Sequence, residues 1–183
     1  MSYRAYAGIG SRETPDVILQ WMTHIAGYLA NEGWTLRSGG APGADKAFEA
    51  GVQDLRLKEI YLPWPGFEGS KSTLHPKNFP FTVKETATAF KAHPAWDRCS
   101  EGAKALHTRN VRQIWGIDRE RNHELSKFVV CWTDRGLLKG GTAQALRIAM
   151  DNNVRIFNLG KATSDAELKV LLVEMDEFQK GIS

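Results

Sequence analysis

The sequence predicts an α/β fold: one domain on a mostly parallel sheet, with helices on both faces. Three observations carry that prediction. The stretch up to Leu62 alternates strand and helix patterns in the order β-α-β-α-β, which calls for parallel strands joined by right-handed crossovers. The run Phe128 to Trp132 is apolar without a break, the pattern of a strand covered on both faces. Glycine clusters fall where a predicted strand hands over to a predicted helix. A single domain over residues 1–183 agrees with the length, at roughly 150 residues per domain.

Taken in order, Arg4 to Ile9 reads as a short buried strand closed by Gly10-Ser11. Thr14-Pro15-Asp16 then opens a helix, with Thr14 as N-cap and Pro15 at the first helical position. Val17, Trp21, Ile25, Tyr28 and Leu29 recur at helical spacing until Asn31-Glu32-Gly33 ends the element. Trp34 to Arg37 is the second strand, a helix runs from Asp45 to about Gly51, and Glu59 to Leu62 is the third strand. The alternation then breaks. Residues of about 63–84 form a loop rich in proline and aromatic residues, holding four of the seven prolines with Trp64, Phe67, Phe79 and Phe81. Such a loop in a compact domain is functional or is stapled to the core by its rings. Cys99 to Trp115 reads as a helix, Lys127 to Trp132 as a strand, and Gly140-Gly141-Thr142 opens the next helix. Val154 to Leu159 is the last strand, and Asp165 to Gln179 a terminal amphipathic helix whose apolar face packs on the sheet or on a second subunit.

Composition removes several classes. At 42% hydrophobic and 25% charged residues the chain is neither disordered nor fibrous. No apolar run approaches the ~20 residues needed to span a bilayer, and no secretion signal opens the chain, so a cytoplasmic location is expected. Cys99 and Cys131 show neither redox nor metal-ligand spacing and read as two free thiols. The five histidines offer no recognisable metal spacing either, so no metal and no cofactor is expected. Net charge is +3 with pI ≈ 8.9. The basic residues gather between Arg98 and Asn122, and the acidic ones beyond Lys161, which gives either one electropositive face or two solvated helices of opposite sign.

Three loops carry the functional signal, each after a predicted strand, where open parallel sheets bind ligands. In Gly8-Ile9-Gly10-Ser11-Arg12, small residues let backbone amides approach an anion, and Ser11 and Arg12 add a hydroxyl and a guanidinium. In Ser38-Gly39-Gly40-Ala41-Pro42-Gly43-Ala44-Asp45, three glycines before a helix make a phosphate cradle. That loop matches neither the P-loop nor the dinucleotide fingerprint. Asp45 is either a helix-start carboxylate or a ligand for a sugar hydroxyl. In Gly140-Gly141-Thr142, Thr142 caps the helix or donates to a phosphate oxygen. Two glycine turns of this kind grip one phosphorylated molecule from two sides, unless both serve only tight packing.

The series Ser38-Gly39-Gly40-Ala41-x-Gly43-Ala44-Asp45, the strand ending Leu62-Pro63, Arg109-Asn110 and Gly140-Gly141-Thr142 resembles the SLOG superfamily. Its members include DNA-processing protein A (DprA, or Smf) and the Lonely Guy hydrolases; the chain looks most like the short DprA-like proteins carried by bacteriophages and bacteria. The resemblance covers about residues 5–160 and implies a Rossmann-like sheet whose two glycine turns bind a nucleotide or nucleic-acid phosphate. It also implies an Arg-Asn pair in the phosphate pocket. Arg109-Asn110 is the favoured candidate and Arg121-Asn122 the other. Relatives often dimerise, which implies a homo-oligomer.

The departures matter equally. The Lonely Guy pattern places a catalytic glutamate where this chain has Ala145; Glu13 is the substitute candidate, or else an ordinary helix-start acid. No Gly-x-Ser-x-Gly elbow occurs. The leading expectation is a protein that senses or sequesters a phosphorylated nucleotide, cyclic nucleotide or ADP-ribose-like ligand held by the glycine turns with Arg12, Arg109 and Asn110, with Trp64 or Phe67 of the proline loop stacking on the base and Pro63 also at the site. The alternatives are a DprA-like mediator binding single-stranded DNA and a nucleotide N-glycosidase.

Overall fold

The computed structural model describes residues 3–117 and 124–182. The elements run β1 (Ala5–Gly10), α1 (Asp16–Asn31), β2 (Thr35–Ser38), α2 (Ala44–Gly51), β3 (Lys58–Ile60), α3 (Val83–Ala92), α4 (Glu101–Trp115), β4 (Phe128–Trp132), α5 (Gly140–Asp151), β5 (Arg155–Asn158) and α6 (Asp165–Gly181). All five strands are parallel, in the order β3-β2-β1-β4-β5. The chain moves outward through β1, β2 and β3, then returns to the other side of β1 with β4. The topological switch point therefore lies between β1 and β4.

Alternation along the central strands builds two cores. Tyr6, Phe128 and Val130 face Met22 and Leu29 of α1, Phe48 of α2 and Leu168 and Met175 of α6. Ala7, Ile9, Val129 and Cys131 face Ala89 of α3, Val111 and Ile114 of α4, and Leu146 and Ala149 of α5. Helices cover both faces, as the continuous apolar strands require. Cys131 is a core residue, and burial pushes its thiol well above the ordinary range. The terminal helix packs on the sheet: Trp34 Nε1 donates to Gln179 Oε1 at 2.9 Å, and Phe178 meets Phe128 edge-on.

The structure departs from the sequence reading at several points. Thr14 does not cap α1. Pro15 occupies the N-cap position, and the Thr14 hydroxyl donates back to the Ser11 carbonyl at 2.7 Å. Val17 is 60% exposed, the stripe being carried instead by Met22, Ile25, Ala26 and Leu29. The loop after β3 ends at Thr82, because α3 begins at Val83 behind a capping box between Thr82 and Glu85.

One buried ion pair holds the proline segment to the helices. Arg112 of α4 donates to Glu85 of α3 at 2.7 and 3.0 Å and to the Pro80 carbonyl at 2.9 Å, with its guanidinium over Phe81. Phe67 is also a core residue, stacked edge-on with Trp64. Phe81 and Phe67 therefore staple the loop to the core.

Candidate functional site

A cleft of about 1030 Å³ opens at the switch point, past the carboxyl ends of β1 and β4. One rim is the first turn, Gly10 to Glu13, with Ala41 and Asp45 beside it. The opposite rim is the segment from Leu138 to Thr142, which leads into α5. Arg109 and Asn110 of α4 form part of the floor.

The third turn leaves backbone amides free at the start of a helix. Helix α5 starts at Gly140 with Lys139 as N-cap and no side-chain cap, so its first-turn amides have no partner within the helix. The partial positive charge of a helix N-terminus favours an anion there. Gly140 takes φ 70°, and a Cβ placed on Gly140 or Gly141 would meet nothing within 4 Å. Lys139 is exposed and makes no ion pair among the described residues, and Arg147 of the same helix also lines the cleft. Thr142 lies inside the first turn, so the capping alternative is removed and its hydroxyl is available to the cleft. Asn110 positions this turn: its Nδ2 donates to Gln144 Oε1 at 3.0 Å and to the Gly141 carbonyl at 3.4 Å.

The second turn is built differently from expectation. Its anion is already present, and it is the chain's own. Asp45, 4% exposed, accepts from the Ala41 amide at 3.3 Å and is approached by the amides of Gly39 and Gly10. The Arg109 guanidinium, also 4% exposed, lies 3.7 Å from Asp45 and donates to the Tyr61 carbonyl at 3.4 Å. Burial outweighs the guanidinium and pushes the Asp45 carboxyl up to about 6. Gly39 is required because a Cβ there would overlap the Arg109 guanidinium. At Gly43, with φ 80°, a Cβ would collide with the Ser11 carbonyl and the Arg12 backbone. These glycines allow the second turn to approach the first turn and α4 closely, and the amides of Gly39, Ala41 and Gly10 are directed at Asp45.

The cleft thus collects Gly10, Ser11, Arg12, Glu13, Asp45, Arg109, Asn110, Gly140, Gly141 and Thr142 from the sequence candidates. Gly8, Ser38, Gly39, Gly40, Gly43, Ala44, Pro63 and Trp64 stand outside its lining. Gly8 is held by Leu36 and Phe48, Ser38 donates to the Gly8 carbonyl at 2.6 Å, and Ala44 is fully buried. Trp64 is half-exposed, with its ring edge-on to Phe67 and beside Gly102. Arg121-Asn122 lies outside the described residues. At the rim, Arg12 pairs loosely with Glu68 at 3.4 Å, and the Ser11 hydroxyl accepts from the Glu13 amide at 3.0 Å.

Sequence reasoning missed Lys139, Arg147, Trp132, His93 and His107 as cleft residues. The signal for Arg147 was available, since it lies within two helical turns of the glycines on one face of α5. The two histidines gave no such signal, because the fold alone brings them to the cleft. His107 is held near pKa 4 by burial and by the neighbouring His93. Ala145 is almost fully buried at the cleft lining, so the cleft carries a methyl group and no carboxylate at the position of a Lonely Guy-like glutamate.

No protein-family model matches the sequence, and no curated protein matches it. Among solved structures, DNA processing protein A from Helicobacter pylori, described by its single-stranded DNA binding mode, is similar at a TM-score of 0.59 and 18% identity. The alignment covers 98% of this chain and 78% of that one. Among the described residues no helix is long and apolar enough to cross a membrane. The likeness defines the class: a five-stranded parallel Rossmann-like domain, similar in fold to a DNA processing protein.

Proposed function

We propose that the cleft binds the phosphate of a nucleotide-type ligand, gripped between the α5 N-terminus and the Ser11-Arg12 turn. The observation that carries this reading is the open first turn of α5, without a side-chain cap and beside Lys139, facing the cleft at the switch point. The phosphate takes the α5 amides and the Thr142 hydroxyl, Lys139 and Arg147 balance its charge, and Arg12 reaches from the other rim. Arg109 acts through Asp45, fixing the rim, and does not itself grip the phosphate.

Thermal unfolding against nucleoside monophosphates, ADP-ribose and cyclic nucleotides tests the proposal. A ligand at 100 times its Kd adds about 2.7 kcal/mol, a rise of roughly 5–10 °C at this length. A salt-tolerant shift supports the reading, and no shift with any phosphorylated ligand overturns it.

A second reading, binding of single-stranded DNA, is favoured by the similarity in fold to DNA processing protein A and by Arg12, Lys139 and Arg147 on the cleft lining. A shift with an oligonucleotide alone, lost steeply as salt rises, selects this reading. Release of free base from a monophosphate, abolished by Glu13→Gln, would instead mark an N-glycosidase.

A further inference from the structure

Three side chains from the segment between α3 and α4 and from α4 itself meet beside the cleft. His93 caps α3, Cys99 follows the short turn Trp96–Arg98, and His107 lies in α4. One ligand atom from each lies within 4.8 Å of the other two. Cys99 Sγ stands 3.8 Å from His93 Nδ1 and 3.9 Å from His93 Nε2, and the two imidazole rings are 4.2 Å apart between centroids. His107 Nδ1 is buried without a partner in hydrogen-bonding geometry, although the Gln144 side chain interacts with the ring. A buried imidazole nitrogen without a partner forfeits a hydrogen bond to water, so its place beside a thiol and a second imidazole asks for an explanation.

We propose that His93, Cys99 and His107 form a binding site for a zinc-class transition-metal ion, with the remaining coordination position facing the cleft. A tetrahedral zinc ion with Zn–S ≈ 2.3 Å and Zn–N ≈ 2.0–2.1 Å holds sulfur and nitrogen about 3.6 Å apart. The 3.8 Å between Cys99 Sγ and His93 Nδ1 is already close to that value. One thiolate with two imidazoles suits zinc better than magnesium or calcium, which take oxygen ligands. His93 and His107 both line the cleft, while Trp96 packs edge-on against His93 as an apolar wall. Three protein ligands leave one position for water or another oxygen, the arrangement of an open rather than a closed zinc site.

Loading has a defined cost. Cys99 releases its proton to solvent and gives up its contact with the Ala95 carbonyl at 3.6 Å. If Nδ1 of His93 is the ligating atom, it also gives up the Ala95 amide at 3.2 Å. The proposal does not depend on the nucleotide reading, because metal uptake is measured without any phosphorylated ligand.

The test is titration of the purified full-length protein with Co²⁺, followed by absorption. The expected result is one equivalent bound with thiolate-to-cobalt charge-transfer absorption, displaced by Zn²⁺ and lost in Cys99→Ala and in His107→Ala. Circular dichroism checks that both variants are folded. A second measurement needs no variant: Zn²⁺ slows alkylation of Cys99 in the native protein, read by mass spectrometry, with buried Cys131 as the unreactive internal reference. Absence of thiolate absorption, its persistence in Cys99→Ala, or alkylation indifferent to Zn²⁺ overturns the assignment.

Discussion

Arg109→Met separates a positioning role for Arg109 from a phosphate-gripping one. In the native protein Arg109 and Asp45 are both 4% exposed, and the guanidinium is the cation beside the buried carboxylate. Removing it leaves Asp45 among the amides of Ala41, Gly39 and Gly10 with no counter-charge. Breaking a buried pair from one side costs about 3–5 kcal/mol. At roughly 2–4 °C per kcal/mol for a chain of this size, Tm falls by about 6–20 °C. The loss depends on pH. Asp45 has its folded pKa raised from 3.8 to about 6, so the folded state holds this proton more tightly than the unfolded state. The associated stability is present at low pH and is lost as pH rises through about 6. Without Arg109 the carboxyl is raised further. The variant is therefore penalised heavily near pH 8 and much less near pH 5, where the carboxyl is neutral. Adding Asp45→Asn recovers most of the loss at the higher pH. Thermal unfolding followed by circular dichroism at both pH values measures this. A penalty below ~1 kcal/mol, the scale of an exposed ion pair, or one equal at the two pH values, refutes the reasoning.

Four other outcomes are expected. Acidification through about pH 6 neutralises Asp45 and raises the positive potential of the cleft floor, which strengthens binding of a phosphodiester such as a cyclic nucleotide, whose own charge is constant in that range; Asp45→Asn flattens that dependence in a binding titration. Lys139→Ala weakens phosphate binding by up to about fivefold, the ~1 kcal/mol of an exposed charge contact, and leaves Tm unchanged. Arg112→Met lowers stability by about 3–5 kcal/mol by stranding Glu85, and the pair Arg112→Met with Glu85→Leu recovers most of it in chemical denaturation. Gly140→Ala costs about 1–2 kcal/mol by backbone strain at φ 70°, with no steric contact to add to it.

The parallel sheet was legible because its strands and glycine turns alternate on a short period, and β4 carries its buried character in five consecutive apolar residues. Helix α3 was not legible from periodicity. Its inward face is Glu85, Ala89 and Ala92, while Val83 and Phe90 point outward at 88% and 54% exposure. The Thr82-Glu85 capping box was the available signal. The third turn was read correctly as a strand-to-helix junction, but the filling of the second was hidden. A glycine cradle shows that an anion is wanted and not whose it is; only the fold places Asp45 there. The meeting of His93, Cys99 and His107 is likewise a product of packing between α3 and α4, since their spacing in the chain matches no common metal-ligand motif.

The two rims differ in how much change each can accept. A side chain at Gly10 or Gly43 would collide with Ala44 or with the backbone of Ser11 and Arg12, so that half of the opening is determined by the fold itself. Gly141 takes an ordinary backbone conformation with empty space where a side chain would go. A bulkier or charged residue fits there without disturbing the core. On the proposed nucleotide reading, ligand preference can thus change through position 141 while the opposite rim stays constant, which makes one side of the cleft a fixed reference and the other an adjustable selector.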